Sequence, residues 1–292
     1  MKRPTFFRPL VTGLAGVMIA ALIWEGYKAL GPAAGFSLGG FPLLPRTTDL
    51  AMPHLWTMVI RLFEPNNALP GAPPLWVPVL EGAWFSLRIA AIGWLLGVLL
   101  SALLAVLMLR FRTARAAILP WVVLSQTVPL IAIAPLVRRW GAQLQLGDMS
   151  WENWMSVAVI ATYLAFFPVT VGTLRGLSSP DQNHLDLMRA FGAGWWRTLL
   201  TLRLPASIPF VLPALRLAAA SAVIGTVVAE VSIGLRGGIG RLIVEFASAT
   251  GGDPGKPWAP IFGAVAVGLV AAGVVALIAR LLIRFRRGED SP

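Results

Sequence analysis

Charged side chains inside long apolar runs are the residues of this sequence that could do chemistry within a membrane. Arg88 lies in one such run, and Arg216 and Glu230 lie in another. A charge in hydrocarbon is costly, so these side chains should face a cavity, a partner or the lipid headgroups. Two alternatives stay open: a role in lining or gating a polar path, or a position near the run ends from which the side chains reach the headgroups.

Two uncharged polar residues also lie in apolar runs. Tyr163 falls near the middle of its run, where its hydroxyl needs a hydrogen bond that lipid cannot provide. A polar cavity or a backbone carbonyl of a neighbouring helix would satisfy it. We predict that Gln126, Tyr163 and Glu230 line a path through the membrane, with Pro129 and Arg88 beside them.

One short motif superficially resembles a phosphate-binding loop. Gly255-Lys256 has the right pair of residues, but Thr250 stands where the first glycine is needed. Pro257 follows the lysine, where Ser or Thr would be required to hold Mg²⁺. We therefore expect no ATP or magnesium site in this chain, and no enzymatic activity.

Other candidate sites are weaker. His54 and His184 have no carboxylate or histidine partners at metal spacing, so we predict that both are solvated. The chain contains no cysteine, which excludes disulfides, thiolate metal sites and a cysteine nucleophile. A glycine cluster has no strand before it, so a flexible turn is expected there rather than a dinucleotide site; its members are Gly234, Gly237, Gly238 and Gly240.

Composition identifies the elements that must position these residues. Of 292 residues, 57% are hydrophobic and 13% are charged, and several apolar runs reach the length of about 20 residues that spans a bilayer. The net charge of +11 comes from basic residues at the run ends, which fits membrane orientation better than nucleic-acid binding. The predicted fold class is an all-α membrane protein with six spans, near residues 10–30, 83–109, 116–137, 153–174, 206–232 and 258–283.

The predicted organisation follows from these runs. The first run follows Lys2 and Arg3, which also suits a signal peptide, but Glu25 and Lys28 close it without a small-residue cleavage site. We therefore expect a retained anchor. A proline-rich loop follows, within which 54–63 could form an amphipathic helix on the membrane surface. The expected divisions are an anchor at 1–31, an external loop at 32–82, a membrane domain at 83–284 and a cytoplasmic tail at 285–292.

Lysine and arginine predict the orientation. Six spans place both termini on one side, and more basic residues lie on that side than on the other. The positive-inside rule then places both termini in the cytoplasm, and the segments 32–80 and 233–257 outside. Many of the tryptophans fall near predicted span ends, as an interfacial belt would.

A polar insert at 181–213 separates the fourth and fifth runs. The turn at 179–181 supplies a helix cap at Asp181, and a short helix should follow and break at Gly192. Leu187, Phe191 and Trp195 recur at i, i+4 and i+8, which predicts one apolar face. From composition alone this segment is an interfacial loop; a helix that docks on a partner is the alternative.

The insert resembles the cytoplasmic signature of ABC importer permeases, in which Glu-Ala-Ala is followed by Gly and a later Leu-Pro. Here Asp186 replaces the Glu and Leu187-Met188 replaces the Ala-Ala, whereas Gly192-Ala193 and Leu204-Pro205 keep the pattern. Further segments resemble the branch that handles taurine, sulfonates, nitrate and pyrimidine precursors. They are 86–88 with Gly93, 126–129 continuing through 134–136, and 229–230 with 238–240.

The resemblance implies a type I permease that forms a homodimer, with two ATP-binding subunits and an external substrate-binding protein as partners. ATP and Mg²⁺ would be bound by the ATPase. The insert at about 181–196 would be the coupling helix, with Asp186 capping it, Phe191 and Leu187 as anchors and Arg189 at the rim. The residues implied in coupling are Asp186, Leu187, Met188, Arg189, Ala190, Phe191, Gly192, Ala193, Leu204 and Pro205.

The solute and two rival classes stay open. The 126–129 segment leans towards pyrimidine precursors, with small sulfonates or other small polar organic solutes as alternatives. A stand-alone secondary transporter or channel should show inverted repeats and paired broken helices, and we see no such symmetry. A membrane-embedded enzyme would need clustered His, Asp or Glu, which the predicted spans lack.

Overall fold

The computed structural model describes most of the chain, and packing divides it into two compact units. One unit comprises the described residues as far as Val79 together with Ile243–Ile261; the other comprises Leu80–Leu242 and the described residues from Phe262 onward. The predicted basic start at Lys2 and Arg3 and the predicted tail lie outside the described residues. Those residues are 7–38, 41–146, 149–248 and 252–283.

Five helices in the described ranges are long and apolar enough to cross a bilayer. They correspond to five of the six predicted runs, which confirms the all-α membrane class. The fourth of these five candidate spans begins at Trp195, because a short helix and a π-helical turn at Leu199–Arg203 precede its main helix. The spanning helices are α1 (Phe7–Leu30), α3 (Trp76–Arg110), α6 (Asn153–Leu177), α9 (Leu204–Ile233) and α11 (Trp258–Ile283).

The predicted third span is interrupted by a sharp bend. It divides into α4 (Arg112–Leu124), a 3₁₀ turn at Ser125–Thr127 and α5 (Leu130–Gly141), with a bend of 108°. Val128 is extended, at φ −78° and ψ 127°, because the ring of Pro129 disfavours the α conformation in the residue before it. The two halves together would make a sixth, broken span.

The remaining elements are short. Among them is a helix that begins at Ile239; the turn predicted from the glycine cluster is confirmed at 234–238, between α9 and that helix, whereas Gly240 lies in the helix. These elements are β1 (Phe36–Leu38), β2 (Phe41–Leu44), α2 (Leu55–Arg61), β3 (Gln145–Leu146), β4 (Met149–Ser150), α7 (Gln182–Ala190), α8 (Trp195–Thr198) and α10 (Ile239–Ser248).

Small residues set the packing of the second unit. A Cβ atom built on Gly97 of α3 would lie 2.9 Å from the Cβ of Ala165 on α6, and Gly93 meets Ala161 in the same way one turn earlier. Small side chains let helix backbones approach in a membrane, where dispersion contacts rather than the hydrophobic effect drive association. The core that results joins α3, α6, α9 and α11 around Ala161, Ala165, Val169, Ala218, Ala222 and Val275.

In the first unit, the last turn of α1 is bound to the segment that follows it. The Lys28 ammonium donates to the carbonyls of Thr47 (3.3 Å) and Met52 (2.6 Å) and to Asp49 Oδ1 (2.6 Å). The hydrogen bond from Lys28 lowers the pKa of Asp49. The segment after α1 is therefore held at the end of the helix.

The prediction that His54 is a lone, solvated histidine is wrong, because it has a carboxylate partner. Its Nδ1 lies 2.8 Å from Glu25 Oε2, and the other oxygen of Glu25 accepts a hydrogen bond from the amide of Leu55 (2.8 Å). The two residues are 29 positions apart in the sequence, so local spacing could not indicate the pair.

Candidate functional site

The base of the polar insert is held by contacts between the end of α6 and the start of α9. The Arg203 guanidinium donates to the carbonyl of Leu177 (2.7 Å), the last residue of α6. A Cβ atom built on Gly176 would lie 2.8 Å from the Cβ of Ser207, so the two backbones are in close contact there. A force on the insert would therefore reach both spanning helices together.

Helix α7 begins and ends as the sequence predicts. The carboxylate of Asp181 accepts from the amide of Asn183 (3.3 Å) at the N-terminus. Gly192 has φ +69°, and the amide of Ala193 donates to the carbonyl of Met188 (2.9 Å), which closes the C-terminus in the manner of a Schellman motif. The break at Gly192 is confirmed.

The implied capping role of Asp186 is wrong. Asp186 lies in the middle of α7, where its Oδ1 accepts from Arg189 (2.8 Å) and Gln182 (3.3 Å). These are neighbours three and four residues away on the same helix face, because an α-helix turns once in 3.6 residues. The pair is exposed, so it orders the helix surface rather than its end.

The predicted apolar face is only partly present. Leu187 and Phe191 are 53% and 76% exposed, but Trp195 belongs to the separate helix α8 and is half-buried. Its ring lies 5.1 Å from the guanidinium of Arg110 at the end of α3. Trp196, 67% exposed, is the neighbouring tryptophan that stays open.

The other implied coupling residues lie around the same surface. Arg189 and Ala190 are exposed on α7, Met188 and Ala193 are half-buried, and Leu204 and Pro205 are exposed in the first turn of α9. Proline fits there because the first turn of a helix leaves its amides without partners. The Leu-Pro pair thus lies where the π-helical turn passes into α9, within the candidate span that begins at Trp195.

Two of the predicted path residues meet at the break between α4 and α5. The Tyr163 hydroxyl donates to the carbonyl of Ser125, which confirms the alternative of a bond to a neighbouring backbone. The exposed amide of Gln126 donates to Ser125 Oγ (3.2 Å). Pro129 begins α5 as its cap residue. No pattern in the sequence indicated Ser125 as the shared partner.

Glu230 lies elsewhere, fully buried near the end of α9. Its Oε1 accepts from Ser86 Oγ on α3 (2.7 Å), and its Oε2 accepts from the amide of Gly240 (2.8 Å). Ser86 Oγ also accepts from the amide of Ile239 (2.9 Å). The reading in which Glu230 reaches the headgroups is wrong; it caps α10 within the protein.

Arg88 does not contact these groups in the described part of the chain. Its guanidinium lies 6.0 Å from the ring of Trp84 and 5.8 Å from that of Phe85, at the edge of an apolar cavity of about 240 Å³ that Trp94 and Val270 also line. The four predicted polar and charged path residues thus fall at three places: Gln126 with Tyr163, Glu230, and Arg88. Arg216 is exposed on α9.

Arg138 is a residue that sequence reasoning passed over. It donates from Nη1 to the carbonyl of Ile233 at the end of α9 (3.1 Å) and from Nε to Asn153 Oδ1 at the start of α6 (3.1 Å). Arginine supplies several donors in a fixed fork and so can join three segments at once. The side chain ties α5 to both of the principal packed helices.

Spanning helices, a bent and interrupted helix pair and an exposed insert define a membrane transport subunit. The comparisons give the family: residues 97–287 match the model described as binding-protein-dependent transport system inner membrane component, and the chain belongs to this family of ABC importer permeases. It is therefore a multi-pass membrane protein, and the family implies ATPase and binding-protein partners.

The names of individual relatives agree with this family assignment. The chain is 32% identical to the formylaminopyrimidine transport permease protein ThiX of Halalkalibacterium halodurans, over 85% of this chain and 97% of the relative. It is 28% identical to the putative aliphatic sulfonates transport permease protein SsuC of Bacillus subtilis, over 73% and 74%. A probable ABC transporter permease protein of Haemophilus influenzae is 38% identical over 53% and 59%. Within the family, this chain therefore resembles the branch of permeases for sulfonates and pyrimidine precursors.

Proposed function

We propose that this permease works as a homodimer in a bacterial inner membrane, with both termini in the cytoplasm. It passes a small polar organic solute from an external binding protein to the cell interior, driven by two ATP-binding subunits that hold the ATP and Mg²⁺. The proposal rests on helix α7. This helix lies between two spanning helices, and the rest of the described chain buries none of its residues.

The surface of α7 has the composition of a docking site. Leu187 and Phe191 are exposed apolar anchors, and the Asp186–Arg189 pair lies beside them. Protein interfaces place apolar and aromatic anchors at the centre and charged groups at the rim. A groove on the ATPase that receives this helix would bury both anchors.

The base of the insert supplies the mechanical connection. Because Arg203 binds the last carbonyl of α6 from the start of α9, a displacement of α7 moves both helices. Closing of two ATPases would then draw the paired permeases between two arrangements of these spans. Each ligand shifts that equilibrium only by its difference in affinity for the two arrangements.

The solute is the least determined part of the proposal. Two relatives carry names that specify a formylaminopyrimidine and aliphatic sulfonates, which are both small, polar and organic. The resemblance at 126–129 and the higher identity to the first relative favour a pyrimidine precursor. In this proposal Gln126 and Tyr163, next to the break between α4 and α5, face the path.

The test is Phe191→Asp in the complete importer. A carboxylate in an apolar groove is left desolvated, so we expect the ATPase to be lost on purification and ATP-driven uptake to fall to background while the permease stays in the membrane. Gln182→Asp, an exposed change on the opposite side of the same helix, is the control and should keep both. Normal ATPase retention by Phe191→Asp would overturn the coupling role of α7.

Two further measurements test the solute class and the requirement for the ATPase subunits. Binding of a formylaminopyrimidine and of taurine to the partner binding protein identifies the solute class, because the binding protein presents the solute to the permease. Uptake by vesicles that contain only the permease would instead support a stand-alone transporter or channel and contradict the ATP-driven mechanism.

A further inference from the structure

Helix α2 and the turn after it expose an apolar face that the rest of the described chain does not cover. Trp56, Val59 and Ile60 of the helix and Phe63 of the turn occur at i, i+3, i+4 and i+7, and each is between 48% and 70% exposed. On the opposite side, Met58 is 1% exposed. One side of the helix therefore packs on the protein, whereas its apolar outer side has no cover from the described chain.

The start of α2 is bound to the second half of α1. Glu25, the first charged residue of the candidate span Val11–Leu30, accepts from the amide of Leu55 (2.8 Å), the first residue of α2. One residue earlier, Trp24 Nε1 donates to the carbonyl of Pro53 (3.1 Å). Leu55 therefore lies at the level of the first charged side chain in this part of α1, and a charged side chain in a spanning helix favours the headgroups over the hydrocarbon.

A second span gives the same level. The ring of Trp24 packs edge-on against that of Trp258 at a centroid distance of 5.2 Å, and Trp258 is the first residue of α11. Tryptophans gather at the headgroup level of membrane proteins. Two independent helices therefore place this end of the unit at the lipid boundary.

The far end of α2 is also held, which fixes the direction of its outer face. Arg61 Nε donates to Asp253 Oδ2 (2.6 Å), and the Lys256 ammonium donates to the carbonyl of Asn66 (2.9 Å). The turn that looked like a phosphate loop in the sequence therefore anchors this helix. With both ends bound on the protein side, the Trp56–Phe63 face cannot turn inward.

We propose that this face of α2 is a membrane-surface contact, embedded at the boundary between the phospholipid headgroups and the acyl chains. The occupant is lipid because the helix starts at the depth where the lipid boundary must lie, and because four large apolar side chains at that depth contact no other part of the described unit closely enough to be buried. Interfacial helices bury their apolar faces in this way. The contact would hold the whole segment between α1 and α3 against the bilayer.

The test uses single cysteines in this cysteine-free chain, each carrying a nitroxide spin label. The permease is reconstituted in vesicles of phosphatidylethanolamine and phosphatidylglycerol. Accessibility to oxygen, which partitions into lipid, is compared with accessibility to a water-soluble nickel complex. The test position is Ile60→Cys; the matched controls are Ile19→Cys, on the exposed surface of the spanning part of α1, and Ala68→Cys, on an exposed loop of the same unit.

We expect the oxygen-to-nickel ratio at position 60 to lie several-fold above that at Ala68→Cys and near that at Ile19→Cys. A ratio equal to that of Ala68→Cys would mean an aqueous surface and would overturn the proposal. Shielding from both reagents would mean that protein covers the face, either a second copy or another subunit, and would overturn it as well. A labelled Val59→Cys variant provides a repeat if Ile60→Cys does not assemble.

Discussion

Ser86 and Glu230 form the buried polar contact on which three helices meet. The hydroxyl on α3 donates to the carboxylate on α9 at 2.7 Å and accepts from the first amide of α10, while the carboxylate accepts from the amide of Gly240. Both side chains are fully buried. The N-terminus of a helix carries partial positive charge, so a carboxylate placed there stabilises it.

The first prediction concerns this contact. Ser86→Ala leaves the amide of Ile239 and one carboxylate oxygen without their partner, so it should destabilise the permease by about 1–3 kcal/mol. Ser232→Ala, which removes only a hydrogen bond to the preceding turn of α9, is the control and should have little effect. Thermal unfolding in detergent measures both; equal midpoints would show that the Ser86 contact adds no stability.

Glu230→Gln tests the same contact from the other side. An amide group at this position can keep one acceptor, but its NH₂ cannot accept from the amide of Gly240. We expect a lower unfolding temperature together with reduced uptake, while dimer assembly stays intact. Full uptake would remove Glu230 from the transport mechanism altogether.

The second prediction concerns the close packing of α3 on α6. Gly97→Val would bring a side chain against Ala165 and should destabilise the protein by about 1–3 kcal/mol through overpacking. Gly268→Val is the matched control, because a Cβ atom there meets nothing within 4 Å. Comparable yields and melting temperatures for the two variants would contradict the observed packing.

The third prediction tests whether the backbone conformation at Gly192, and not only the size of its side chain, matters for the insert. Gly192 has φ +69° and open space around it, so Gly192→Ala strains the backbone by about 1 kcal/mol without any clash inside the chain. Gly194 is equally open but has φ −68°, so Gly194→Ala should be neutral. We expect reduced uptake and ATPase retention only in the Gly192 variant.

Gly192→Trp extends that series. A Cβ atom at this position meets nothing within 4 Å in the described chain, so a loss well beyond that of Gly192→Ala would indicate a partner that lies close to the backbone. Co-purification of the ATPase measures it. If the alanine and tryptophan variants bind the ATPase equally well, no partner approaches this turn.

The fourth prediction concerns the broken helix pair. Tyr163→Phe removes the hydroxyl that binds the carbonyl of Ser125, and we expect it to loosen the break by about 1 kcal/mol and to lower uptake. Gln126→Ala should lower uptake with unchanged stability if its exposed amide faces the solute. Uptake at the parental rate in both variants would exclude them from the path.

The fifth prediction concerns orientation. With both termini in the cytoplasm, Pro70 lies outside, and the structure exposes it. Pro70→Cys should react with a membrane-impermeant maleimide added to intact spheroplasts. Reaction only after the membrane is opened would reverse the predicted topology.

Sequence alone was sufficient for the features that depend on local composition. Apolar length predicts the spanning helices, because a bilayer requires about 20 apolar residues whatever their partners are. The cap at Asp181 and the left-handed Gly192 are likewise properties of a few adjacent residues, and α7 begins and ends as they indicate. The resemblance added the family, and the comparisons confirm it.

Tertiary structure decided which polar groups meet. Ser86 and Glu230 are 144 positions apart, and Glu25 and His54 are 29 apart, so no spacing rule relates them. A buried carboxylate must find donors wherever the fold supplies them, and the donors for Glu230 lie on α3 and at the start of α10, just after the glycine-containing turn. The position of a charged residue in an apolar run therefore predicted that Glu230 needs hydrogen-bond partners. Only the packing of the helices determined which residues those partners are.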